Sequence, residues 1–150
     1  MNLLEFKKSV GKEVGISDWF LIDQDKINKF ADLTHDHQFI HVDIEKSKDT
    51  PFKTTIAHGF LTLSLLPSMA SQVISKSSDT KMSVNYGLNK LRFINPVLSN
   101  SKIRGRFFLK KIEQKELNEL TLFWEITIEI KDTEKPAMIA EWINRRYFNN

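Results

Sequence analysis

The sequence predicts an α+β domain in which a buried helix is followed by a run of antiparallel strands. Residues 59–76 are apolar nearly all round, the mark of a buried helix. From Val84 onward the apolar period changes from 3.6 to 2, and no helical stretch separates the later strands. At 150 residues, with 41% hydrophobic and 27% charged residues, the chain has the size and make-up of one globular domain, 1–150. Such a chain can bury roughly 70% of the surface its unfolded form exposes.

Residues 3–10 set Leu3, Leu4, Phe6 and Val10 among Lys and Glu and are expected to form a short amphipathic helix. Gly11 and Gly15 punctuate the approach to a strand over 17–22. Asp23 is placed to cap a helix from Asp25 to Leu33, whose Ile27, Phe30, Ala31 and Leu33 share one face. Asp43 can cap a second short helix, Ile44 to Lys48, which Thr50-Pro51 ends because a residue before proline is pushed out of the helical region. The buried helix then runs from Gly59 to Lys76. Pro67 removes one backbone donor inside it, so a kink or loosened turn is expected there.

Residues 75–81 read as an exit loop, and strands follow. Val84, Tyr86 and Leu88 alternate, and Leu91 and Phe93 resume across a break at Asn89. Ile103, Gly105, Phe107 and Leu109 alternate again after a turn over 95–101. Leu120, Leu122, Trp124, Ile126, Ile128 and Ile130 keep strict alternation. Residues 132–136 turn the chain, and Met138, Ala140 and Trp142 repeat the pattern. Short connections make these strands antiparallel.

Charge and composition narrow the partners. The 22 Lys+Arg and 19 Asp+Glu leave a net charge of only +3, with the cations scattered, so no nucleic-acid footprint is expected. The absence of cysteine excludes a disulfide framework, a thiolate nucleophile and a Cys-ligated zinc site, and suits a cytoplasmic protein. The first residues lack an uninterrupted apolar core of signal-peptide type, and the apolar stretch 59–73 is too broken for a membrane span.

All four histidines lie between His35 and His58, which suggests a site. The residues alone leave three chemistries open. His35 and His37 with Asp36 or His41, and His58 as a distant ligand, could hold a metal, although no HExxH spacing is present. Ser64 with His41 or His58 and Asp36 could form a nucleophilic triad. Against that, no Gly-x-Ser-x-Gly elbow exists, and a serine within a helix commonly returns its hydroxyl to the carbonyl four residues back, here Phe60. Asp36 with His41 could share a water as general base and acid. On one helix these two would lie about 140° apart, so they converge only if the backbone turns between them. The N-terminus of the buried helix around Gly59 would then offer N–H groups to a developing oxyanion. A purely structural reading stands beside these: Asp36 capping a turn and His41 a satisfied polar residue.

HDHQFIHVD, then PFKTTIAHGFLTLSLLP, then VNYGLNKLRFINPV resemble the MaoC-like dehydratase family, which includes the (R)-specific enoyl-CoA hydratases. The likeness runs from about Trp19 to Pro96 and continues through KPAMIAEWINRRYF. It implies a hot-dog fold, an antiparallel sheet wrapped around a long central helix, in a homodimer with the substrate tunnel near the subunit interface. By the same resemblance Asp36 and His41 are the catalytic pair, while Gly59 and Ser64 are substrate-binding. No metal or other cofactor is implied.

The implied reaction is reversible syn addition of water to a trans-2-enoyl thioester, an acyl-CoA or other acyl thioester, giving a (3R)-3-hydroxyacyl thioester. A hot-dog acyl-CoA thioesterase and a non-catalytic acyl-thioester-binding protein are the alternatives. The family motif Gly-Asp-x-Asn-Pro-aliphatic-His is altered here: His35 stands at the glycine, Gln38 at the asparagine and Phe39 at the proline. That form is similar to the nodulation protein N-like branch.

Overall fold

A computed structural model describes residues 1–74 and 77–149. Ser75 and Lys76, where the buried helix is expected to end and the exit loop to begin, lie outside the described residues, as does Asn150. In chain order the elements are α1 (Leu3–Ser9), β1 (Lys12–Ile16), β2 (Phe20–Ile22), α2 (Gln24–Thr34), α3 (Phe39–Val42) and α4 (Ile44–Ser47). Then come α5 (Gly59–Ser64), α6 (Leu66–Val73), β3 (Thr80–Phe93), β4 (Ser101–Glu116), β5 (Glu119–Ile130) and β6 (Met138–Phe148).

In β5 the six alternating apolar residues from Leu120 to Ile130 are all buried, because residues two apart on a strand share a face. The same holds for Ile103, Phe107 and Leu109 of β4 and for Met138, Ala140 and Trp142 of β6. The six strands form one antiparallel sheet in the order β1-β4-β5-β6-β3, with β2 also paired to β4. The break expected at Asn89 is a shift of register between β3 and β6 within a continuous strand.

The region before α2 differs from the sequence reading. The strand expected over 17–22 is only Phe20–Ile22, and a second strand, Lys12–Ile16, precedes it. The glycines that suggested a turn there serve a strand instead: a Cβ on Gly15 would lie 2.8 Å from a methyl of Val73, so only a glycine lets β1 pass α6 this closely.

The central helix has the loosened turn expected near Pro67: Leu65, still in the right-handed helical region, bonds its N–H back to the Thr62 and Leu63 carbonyls, and Pro67 falls in the first turn of α6, where its missing donor costs nothing. Leu61, Thr62, Leu66, Met69 and Ala70 are buried against the sheet, yet Phe60 is 65% exposed and Ser64, Pro67 and Ser68 are exposed too. The helix is therefore buried on one face within the chain, not all round. That leaves the start of α5 open on the side where the histidines gather.

Candidate active site

Two helix ends and a short third helix build the turn that carries the acid and the imidazole. Asp23 caps α2 by accepting from the Lys26 N–H, and α2 stops at His35, which takes the left-handed conformation with φ 60°. His37 lies on the surface with Nε2 2.8 Å from an Asp32 carboxylate oxygen. His35 and His37 thus serve the end of α2 and its surface. The chain then re-enters a helix at α3, which places His41 on a short helix of its own and supplies the backbone turn between it and Asp36.

Backbone and buried polar contacts hold His41 on every side. Its Nδ1–H donates to the Ile56 carbonyl at 2.7 Å, and the Ile56 N–H donates to the Ile40 carbonyl at 2.9 Å. Its own carbonyl accepts from Gln24 Nε2 at 2.8 Å, and the Gln24 carbonyl oxygen accepts from the buried Thr55 hydroxyl. A carbonyl can only accept, so Nδ1 carries the proton and the neutral ring keeps its lone pair on Nε2. Burial holds the His41 pKa below its ordinary 6.5, helped by the adjacent His58 and opposed by the Ile56 carbonyl and the Asp36 carboxylate. At neutral pH His41 is a neutral imidazole able to accept a proton.

Asp36 is exposed, and among the described residues its carboxylate is lightly held, with the Gln38 N–H near one oxygen at 3.4 Å. A carboxylate oxygen of Asp36 and a ring nitrogen from each of His41 and His58 lie within 4.8 Å of one another. Those three donors invite the question of a metal. The rings of His41 and His58 are stacked, with centroids 3.8 Å apart and planes 23° apart, so their in-plane lone pairs run side by side and meet only well beyond bonding distance. An ion about 2.0–2.1 Å from both nitrogens would lie far out of one ring plane or the other. The donor set does not fit a metal as arranged, and it suits proton transfer.

Gly59, the first residue of α5, faces the aromatic mouth of a cavity of about 260 Å³ that His41, Thr62, Phe93 and Val97 also line. A Cβ at Gly59 would meet the Phe93 ring at 2.8 Å, so the glycine is what lets the aromatic ring close over this backbone. The first N–H groups of a helix have no intrahelical acceptor, which leaves them available at this point. Ser64 is not brought to the pair. Its hydroxyl donates to the Phe60 carbonyl at 2.7 Å, the pattern expected of a helical serine, and it lines a separate, mainly apolar cavity of about 360 Å³ with Leu66, Leu88 and Trp142. A further cavity of about 620 Å³ lies across β3–β6 with Lys110 already paired to Glu125 and Glu141, and holds none of these groups.

His58, to which the family resemblance assigns no role, is the residue that joins the two halves. It is buried, stacks on His41, packs its ring 5.0 Å from that of Phe30, and donates from Nε2 to the Asp36 carbonyl at 2.9 Å. The available signal was its position, immediately before Gly59 at the start of the apolar run.

An antiparallel sheet packed on a central helix is the hot-dog architecture, and here a carboxylate and two imidazoles gather beside the helix start. The chain belongs to the MaoC-like dehydratase family: the family profile described as "MaoC like domain" matches residues 5–122. It is 44% identical over 144 residues to nodulation protein N of Rhizobium leguminosarum bv. viciae, covering 95% of this chain and 89% of that protein. It is 42% identical over 144 residues to 3-hydroxyacyl-thioester dehydratase Z of Mycobacterium tuberculosis (strain ATCC 25618 / H37Rv), covering 96% and 95%. Among solved structures, an (R)-hydratase from A. caviae involved in PHA biosynthesis aligns with a TM-score of 0.71 at 21% identity, covering 90% of this chain and 94% of that one.

Proposed function

We propose that the protein reversibly hydrates a trans-2-enoyl thioester, carried on CoA or another thiol, to the (3R)-3-hydroxyacyl thioester. The observation that carries this reading is the tautomer of His41: with Nδ1–H committed to the Ile56 carbonyl, the free Nε2 lone pair is the acceptor a water would need. The 42% identity to a 3-hydroxyacyl-thioester dehydratase supports the same substrate class.

In this reading the water oxygen bonds to the β-carbon while His41 Nε2 takes one of its protons and returns it to the α-carbon on the same face. Asp36 accepts the other O–H, orients the water and balances the transient imidazolium. The N–H at Gly59 polarises the thioester carbonyl as charge moves onto its oxygen. Ser64, on the separate apolar cavity, contacts a part of the substrate remote from the reacting atoms.

A homodimer belongs to the proposal. The edge strand β3 exposes Met82, Val84, Tyr86 and Leu88, and an open edge with apolar side chains is a surface that a second copy can cover. No described helix is long and apolar enough to cross a membrane, and a cytoplasmic location is part of the same reading. Crotonyl-CoA tests the function: loss of enoyl absorbance without release of free thiol is the result expected. Free thiol without hydration would assign a thioesterase, and binding without either would assign an acyl-thioester-binding protein.

A further inference from the structure

We propose that His58 is a positioning residue that holds both members of the acid–imidazole pair at once, through its Nε2–H on the Asp36 carbonyl and its ring face on His41. The proposal rests on the reading that Asp36 and His41 handle the reacting water. It adds a residue that neither touches substrate nor belongs to the pair.

The geometry is economical in an unusual way. His58 is 3% exposed and precedes α5, so its backbone is fixed by the helix that also presents Gly59. One edge of its ring bonds the backbone of Asp36, which is otherwise an exposed residue in an irregular stretch between α2 and α3. One face of the ring lies against His41, and the ring is clamped by Phe30 from α2. The remaining ring atom able to bond, Nδ1, is buried with no hydrogen-bond partner among the described residues.

The Nε2–H of His58 holds the Asp36 backbone while one face of the same ring lies against His41. The groups facing His41 are Asp36 from the preceding turn, His58 from the start of α5 and the Ile56 carbonyl. The His58 ring stacked at 3.8 Å adds to burial in holding the His41 pKa low, which keeps His41 ready to accept.

Two variants split the two functions of the ring. His58→Phe keeps an aromatic face against His41 and loses the donor to Asp36; His58→Gln keeps a donor and loses the face. Both are expected to fold, and each is expected to lower kcat for crotonyl-CoA hydration, by up to the order of 100-fold, with KM little changed. The His41 titration midpoint, read by NMR, should rise in His58→Gln and stay low in His58→Phe. Wild-type kcat in either folded variant would overturn the proposal.

The wild-type protein supplies a test that needs no variant and no turnover. Long-range proton–nitrogen correlations should show His41 as the Nδ1–H tautomer and His58 as the Nε2–H tautomer. An Nδ1–H tautomer at His58 would remove the bond to Asp36 and overturn the proposal even in an active enzyme. If instead the tautomers are as stated but no enoyl thioester is hydrated, the proposed function fails while the grip of His58 on the two residues stands.

Discussion

The two walls of the site are built to different tolerances. The His41 wall is tied through Ile56, Gln24, Thr55 and His58, all by buried or half-buried bonds. The Asp36 wall is an exposed stretch in which the imidazole of His58 holds the Asp36 carbonyl, while among the described residues the Asp36 carboxylate has a long contact to the Gln38 N–H. A base that must present one lone pair in one direction benefits from being fixed. A carboxylate that must follow a water as its proton leaves benefits from freedom. In the proposed reaction this asymmetry would divide the labour: direction on the His41 side, adjustment on the Asp36 side.

The largest effects should come from deleting either wall's functional group. His41→Ala and Asp36→Asn are each expected to lower kcat for crotonyl-CoA by about 10²–10⁴-fold while thermal unfolding shows a folded protein. Because the Asp36 side chain makes few contacts, Asp36→Asn should leave the unfolding midpoint nearly unmoved, whereas His41→Ala should lower it by emptying a buried position. Equal losses of stability in the two would erase the distinction between a fixed and a free wall.

An intermediate effect is expected at the mouth. Gly59→Ala places a methyl 2.8 Å from the Phe93 ring, and Phe93 is 45% exposed, so the ring can give way at the expense of the cavity it covers. Steady-state kinetics should show kcat/KM down by about tenfold, with longer enoyl chains affected differently from crotonyl.

The pH response discriminates the walls without mutation. His41 binds its proton less readily when folded than at its ordinary 6.5, so the acid limb of kcat/KM should lie below that value. Between the folded and unfolded midpoints the unfolded chain binds more protons, so stability falls as pH drops from about 6.5 toward the folded value. Titration of activity and of unfolding on one sample checks both signs; an acid limb above 6.5 would contradict a buried, neutral His41.

The smallest effect belongs to Ser64. Its hydroxyl bonds its own helix and lines a different cavity, so Ser64→Ala should shift KM a few-fold and leave kcat near wild type. A collapse of kcat would mean that Ser64 reaches the reacting atoms after all.

Much of the fold was legible because burial writes itself into period. Leu120 to Ile130 alternate strictly and all six are buried, and Asp23 and Asp43 cap the helices they were assigned. The same alternation in β3 marked a strand but not its surroundings, since Val84, Tyr86 and Leu88 lie exposed on an edge. Periodicity reports the local backbone, and what covers a face is a tertiary fact. β1 was missed for the related reason that Gly15 signals both a turn and a close helix approach.

At the site, Asp36, His41 and Gly59 could be named from residue type and from family resemblance, and the first two are brought together here. His58 was named only as a possible metal ligand or triad member, and its actual place could not be read, because its partners are the backbone carbonyl of Asp36 and the face of another ring. Neither leaves a pattern of residue types in one sequence. The separation of Ser64 from the pair follows from its place at the far end of α5, about 140° round the helix from Gly59 by the 3.6-residue period.

Hydration of crotonyl-CoA in D₂O, followed by NMR of the product, tests the central claim most directly. The account predicts (3R)-3-hydroxybutyryl-CoA with one deuteron at C2 on the same face as the new hydroxyl, because a single imidazole takes the water's proton and returns it. A (3S) product, an anti deuteron, or thioester cleavage without hydration would contradict it.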